Sequence, residues 1–186
     1  MSHFYKLAID PGHGMGNRTP GKYDPGACAG GHEEASVALQ YALAIKYVFA
    51  QAGIEVFLTR DDAKDYDPVG TRDNRAKAEG CTHFLSLHLN AGGGTGTETF
   101  YRGAEDHGWA ENIQKLALES FGLRDRGLKT EDASQHTRLA VLDFDGPGCL
   151  LELGFIDSPR DMAVIGQRDS RLRFAEGLLK IWRALG

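Results

Sequence analysis

The sequence predicts an α/β fold in a single domain over residues 1–186, with a mainly parallel, twisted sheet flanked by helices. Three observations predict it. Short apolar runs alternate with longer segments whose apolar residues recur at three-and-four spacing. The run Thr82–Leu87 is almost wholly apolar toward its end, as a central parallel strand should be. No internal repeat, linker or low-complexity stretch leaves material for a second domain.

Phe4–Ile9 reads as the first strand, stopped by Pro11 and the glycines of Asp10-Pro11-Gly12-His13-Gly14. His13 is thereby set on a tight loop past a strand's carboxyl end, the edge at which open α/β sheets bind ligands. Residues 14–32 read as a long Gly- and Pro-rich loop, expected to rim a binding site. A helix over Glu33–Ala52 follows, with Ala38, Tyr41, Ala42, Ile45, Val48, Phe49 and Ala52 on one stripe and Gly53 closing it. Glu34 lies four residues before Ala38 and shares that inward face, whereas Glu33 falls on a more polar one. A carboxylate on an inward stripe is costly unless it is paired or metal-bound.

Ile54–Thr59 reads as the second strand and residues 68–80 as a helix ended by Gly80. Thr82–Leu87 then delivers His88-Leu89-Asn90-Ala91 ahead of three glycines, so a second histidine sits past a strand end. His83 lies five residues earlier, points to the opposite face and is read as structural. Thr97–Tyr101 reads as a short edge strand, and residues 107–121 as a helix with Trp109, Ile113, Leu116, Ala117 and Phe121 inward. Residues 122–138 read as a polar, turn-rich loop and Leu139–Leu142 as a short strand. Gly148–Leu151 reads as a strand bringing Glu152 to its end, and residues 158–166 and 170–185 as the closing helices.

The net charge of −5 argues against a nucleic-acid partner bound by phosphate neutralisation. No apolar run approaches the roughly 20 residues that span a bilayer, so no membrane span is expected. Cys28, Cys81 and Cys149 match neither a disulfide framework nor a Cys-x-x-Cys site, and read as mostly buried free thiols of a reducing compartment. The first residues show no basic region followed by an apolar one, so synthesis in the cytoplasm without a signal peptide is expected, as a monomer.

Three strand ends and one helix start therefore carry His13, His88, Glu152 and Glu34, and a parallel sheet places them on one edge. Two histidines and a carboxylate are a catalytic zinc set that leaves a position for water. A further carboxylate serves as general base and then protonates a leaving amine. Glu152 follows Leu150-Leu151, where desolvation raises a carboxyl pKa. The plainer reading of Glu152 is a buried carboxylate paired with Arg60 or Arg72. Spacing leaves open which of Glu34 and Glu152 binds the metal, and it leaves His32 and His136 as further ligand candidates. No Gly-x-Ser-x-Gly nucleophile, phosphate-binding loop or dinucleotide fingerprint occurs.

From Ala8 to Trp182 the chain resembles the zinc-dependent N-acetylmuramoyl-L-alanine amidases of the amidase-3 group. The resemblance rests on Asp10-Pro11-Gly12-His13-Gly14, Asp24-Pro25-Gly26-Ala27, Gly31 to Glu34, and Leu58-Thr59-Arg60 with Arg72. It continues through Ser86-Leu87-His88-Leu89-Asn90-Ala91, Arg126-Gly127-Leu128-Lys129 and Leu151-Glu152-Leu153-Gly154-Phe155-Ile156. It implies a phosphorylase/hydrolase-like fold, one Zn2+ bound by His13, Glu34 and His88, and Glu152 as the catalytic glutamate. The implied substrate is peptidoglycan, cut between N-acetylmuramic acid and L-alanine.

Some members of that group carry an inserted helix that covers the zinc, for which the segment Gly92–Glu98 has no room. The expectation is a constitutively active phage or prophage endolysin that reaches the wall by holin-type release or lysis. The alternatives are an amidase or peptidase acting on soluble muropeptides in wall recycling, and a non-catalytic wall-binding module. Asn90 and His136 are the candidate substrate contacts, on rims formed by residues 14–32 and 128–138.

Overall fold

Strand parity decides which layer each side chain enters, because successive residues of a strand point to opposite faces. In the computed structural model, which describes residues 5–135 and 137–185, six strands form the main sheet. These are β1 (Leu7–Pro11), β2 (Val56–Leu58), β3 (His83–Asn90), β4 (Thr97–Tyr101), β5 (Asp125–Thr130) and β6 (Gly148–Phe155). Their order across the sheet is β2-β1-β3-β6-β4-β5. The first four neighbours in that order run parallel, and β4 pairs antiparallel with β6 and parallel with β5. The helices are α1 (Glu34–Gln51), α2 (Arg72–Ala78), α3 (Ala104–Phe121), α4 (Pro159–Ile165) and α5 (Arg168–Leu185).

Odd-numbered strand residues such as Leu7, Ile9, Leu85, Leu87, Cys149 and Leu151 join the larger core with the inward stripes of α1, α3 and α5. Even-numbered Ala8, Phe84, Phe100 and Leu150 face a thinner layer with Ala76, Val141, Leu142 and Phe144. Asp10, Ser86, His88, Asn90, Glu98 and Glu152 share that even parity. Where the thin layer ends, the same sheet face is left for polar chemistry. No helix among the described residues is long and apolar enough to cross a membrane.

Several expectations are corrected. Thr97–Tyr101 is an inner strand with four of its five residues buried, because Asp125–Thr130, expected as loop, pairs with it and forms the edge. Leu139–Leu142 is not a strand: Ala140–Asp143 form a 3-10 turn whose Val141 and Leu142 cap the thin layer. His88 and Glu152 sit within strands rather than past their ends, side by side in the β3–β6 register. Residues 14–32 hold two short ribbons, Gly14–Met15 with Tyr23–Asp24 and Cys28–Ala29 with His32–Glu33. Cys81 and Cys149 are buried as expected, but Cys28 is exposed.

Neither Arg60 nor Arg72 pairs with Glu152. Arg60, 2% exposed, donates to the carbonyls of Pro11 (3.0 Å), Gly12 (2.8 Å) and Ala35 (2.8 Å), tying the loop after β1 to the first turn of α1. Arg72 donates to Asp10 Oδ1 (3.1 Å), the His13 carbonyl (2.7 Å) and Asn17 Oδ1 (3.0 Å). Buried acceptors left without donors cost about 1–3 kcal/mol each. Arg60→Met keeps the bulk and removes the donors, so it should destabilise the protein by about 3 kcal/mol or more in urea unfolding. An unchanged midpoint would mean that water replaces the guanidinium.

Candidate active site

His13 is held from both ends. Its backbone is left-handed (φ 62°), a conformation uncommon outside glycine, and Arg72 grips its carbonyl. Its ring Nδ1 lies 3.0 Å from Asp24 Oδ2. An ionised carboxylate only accepts, so Nδ1 carries a proton, and Nε2 is the nitrogen turned toward the cluster. Asp24 is itself fixed by the Asn17 amide (2.6 Å) and the Gly26 N–H (2.9 Å).

His13 Nε2 faces Glu34 Oε1 at 3.1 Å, and His88 Nδ1 faces the same oxygen at 2.9 Å. Glu34 opens α1 and is 4% exposed, while Glu33 is exposed at the N-cap. The N–H groups of Leu89 (3.0 Å) and Ala27 (2.9 Å) donate to its two oxygens. Burial alone would raise the Glu34 carboxyl, but hydrogen bonds from His13 and His88 hold it well below the usual range. His13 is raised above its ordinary value: burial works against protonation, and the carboxylates of Glu34 and Asp24 outweigh it.

The approach of these groups depends on missing side chains. A Cβ on Gly12 would lie 2.3 Å from the His88 ring, and one on Gly26 2.6 Å from Glu34 Oε2. One ligand atom each from His13, Glu34 and His88 lies within 4.8 Å of the others. Two imidazole nitrogens and a carboxylate oxygen, with a carboxylate behind one imidazole, fit zinc. His32 is exposed and outside this group, and His136 lies outside the described residues.

A cleft of about 800 Å³ opens over the cluster and reaches Asn90, Glu98, Arg126 and Glu152. Glu152 Oε2 is shut from solvent and has no hydrogen-bond partner among the described residues. Burial, and then the like charges of Glu34 and Glu98, push its carboxyl well above the usual range. Glu98 is directly opposite on β4. It is held by the Asn90 amide (2.5 Å), Arg126 Nε (3.0 Å) and Lys129. Burial would raise Glu98, but the bonds from Lys129 and Arg126 lower it. Two carboxylates thus face each other in opposite electrostatic settings.

Sequence reasoning located His13, Glu34, His88, Glu152 and Asn90 in this cleft but missed two residues that shape it. Asp24 had a signal in the Asp-x-Gly-Ala match, although its contact to His13 needs the ribbon pairing. Glu98 shares parity with the buried Phe100, a signal masked by reading β4 as an edge.

The family of N-acetylmuramoyl-L-alanine amidases designated amidase 3 matches residues 7–181. The chain is 34% identical over 161 residues to the sporulation-specific N-acetylmuramoyl-L-alanine amidase of Bacillus subtilis (strain 168), covering 84% of this chain and 58% of that protein. It therefore spans less than two thirds of the length of that curated relative. An N-acetylmuramoyl-L-alanine amidase from Clostridium difficile 630 superposes with a TM-score of 0.82 at 26% identity, over 97% of this chain and 96% of that one. The catalytic domain of CwlV, an N-acetylmuramoyl-L-alanine amidase from Bacillus (Paenibacillus) polymyxa var. colistinus, gives 0.81 at 27% identity, over 97% and 98%. With a family match across almost the whole chain and a fold shared with these amidase domains, the chain belongs to the amidase-3 family of N-acetylmuramoyl-L-alanine amidases.

Proposed function

We propose that the chain is one catalytic domain that hydrolyses the amide between N-acetylmuramic acid and L-alanine in peptidoglycan. In this reading His13, Glu34 and His88 hold one zinc ion. The observation that carries it is Glu152 Oε2, buried and unpartnered in the cleft that holds the three donors. When bound, zinc supplies Lewis acidity toward the amide carbonyl and toward water. Glu152 Oε2 takes a proton from the attacking water and returns one to the departing L-alanine nitrogen. Its raised pKa suits it to hold that proton between the two transfers. Asp24 fixes the His13 ring, and Arg72 fixes its backbone.

Purified sacculi test this reading. Digestion should release L-alanine amino termini without new reducing sugars, stop when a chelator removes the metal, and resume on adding zinc. New reducing ends would make the protein a glycosidase. Cleavage confined to soluble muropeptides would move it to wall recycling.

We further propose that the enzyme is constitutively active. The connection from β3 to β4 is short and pinned: the N–H groups of Gly92 (2.9 Å) and Gly93 (2.7 Å) donate to Asp157, and Thr95 Oγ1 (2.5 Å) and the Gly96 N–H (2.8 Å) donate to Asp161. Such an enzyme suits lysis as a phage or prophage endolysin, released to the wall through a membrane lesion. The similarity to a sporulation-specific amidase favours a second reading, remodelling of the producing cell's own wall. Co-expression with a pore-forming protein separates them: abrupt clearing of the culture supports lysis, and intact cells support remodelling.

A further inference from the structure

Beyond the metal cluster, the cleft wall formed by β5 carries a cation with unspent donors. Arg126 uses only Nε, toward Glu98, and neither Nη1 nor Nη2 donates to any described residue. Its guanidinium carbon lies 4.8 Å from the centroid of the Phe155 ring, and the side chain is 28% exposed. One edge of the fork and one face are thus fixed, and the side chain lines the cleft. The charges around it leave a surplus: Arg126 and Lys129 both bind the single carboxylate of Glu98. Arg138 also lines the cleft, but its Nη2 holds both oxygens of Asp143 (2.8 and 2.9 Å) and its side chain is 71% exposed, so water screens it. Arg18 also lines the cleft but is exposed to water, which screens it.

We propose that the free edge of Arg126, backed by Lys129, binds a carboxylate of the substrate. The inference rests on the amidase reading. In a muramoyl peptide the lactyl carboxyl is consumed in the scissile amide, so a free carboxylate belongs to the peptide. The stem peptide therefore lies along β5, and Arg126 determines specificity for acidic over amidated stems. A planar fork meets a carboxylate with two parallel hydrogen bonds, which a neutral carboxamide cannot match.

The test uses the zinc-loaded full chain and muramoyl peptides in which each carboxylate in turn is replaced by its carboxamide. At one position the wild type should prefer the acid by about tenfold in kcat/KM, carried by KM. Arg126→Gln should erase that preference, and Arg126→Lys, which keeps charge without the fork, should restore part of it. The inference is overturned if the wild type cleaves every acid and carboxamide pair alike, or if the preference survives in Arg126→Gln. The wild-type comparison decides the matter even if a variant folds poorly. Failure of the wild type to cleave any of these substrates would instead remove the amidase reading itself.

Discussion

Replacing Glu152 by glutamine should lower the rate of wall hydrolysis by about 10³-fold, within the range general acid–base catalysis supplies, while a full zinc equivalent remains bound. Glutamine keeps the shape of the side chain but neither accepts the proton of water nor passes one to an amine. The stability of the variant sharpens the test. Glu152 Oε2 has no hydrogen bond to lose, and the charges that act on it, Glu34 and Glu98, are of like sign. A neutral amide removes that repulsion, so the melting temperature of the metal-free variant should equal or exceed that of the wild type. A buried carboxylate in an ordinary structural pair would give the reverse, lower stability with activity retained. Undiminished release of L-alanine termini by Glu152→Gln would therefore move the proton-transfer role to another group, with Glu98 across the strand pair the first to examine.

The parts of the site that were legible in the sequence are those announced by local chemistry. Pro11 and the flanking glycines mark the turn that presents His13, and helical periodicity separates Glu34 from Glu33 although they are adjacent. The apolar run into His88 marks a central strand because that strand is covered on both faces. What was not legible depends on partners distant in sequence. Residues 125–130 lack an apolar pattern because β5 is an edge strand, half-exposed along its length, and its pairing with β4 supplies what its composition does not. A four-residue apolar run such as Leu139–Leu142 fits a strand or a tight turn equally well, and its packing under β6 decides for the turn. The same gap hid Glu98 and left Arg126, named only within the Arg126-Gly127-Leu128-Lys129 match, without a role, since reading β4 as an edge removed the β4–β5 wall on which they stand. Arg60 and Arg72 stand out in the sequence, but the partners that let them fix the site, Asp10, Pro11, Gly12, His13 and Ala35, lie 25 to 62 residues away, out of reach of any local pattern.

Glu34→Ala should abolish the metal centre, lowering zinc affinity by about 10³-fold or more, beyond the 10–100-fold loss typical of an outer partner's removal. Its carboxylate is the point at which the site converges: His13 Nε2, His88 Nδ1 and the Leu89 N–H all meet Oε1, and the Ala27 N–H meets Oε2. Without it the two imidazoles lose their common partner, and two backbone donors lose their acceptor in a site that is almost closed to water. Zinc content after dialysis against a metal buffer, read beside activity, measures the effect. Asp24→Asn supplies the scale. Asparagine still reaches His13 Nδ1, but it carries no charge to raise the basicity of the ring, so zinc should weaken by about 10–100-fold with the ligand set intact. Glu33→Ala, one residue away and exposed, should leave zinc content unchanged. The expected order of zinc loss is therefore Glu34→Ala, then Asp24→Asn, then Glu33→Ala. If Glu34→Ala retained a full equivalent, the third ligand would have to come from elsewhere in the cleft, and Glu152, beside His88 in the strand register, would be the carboxylate placed to supply it.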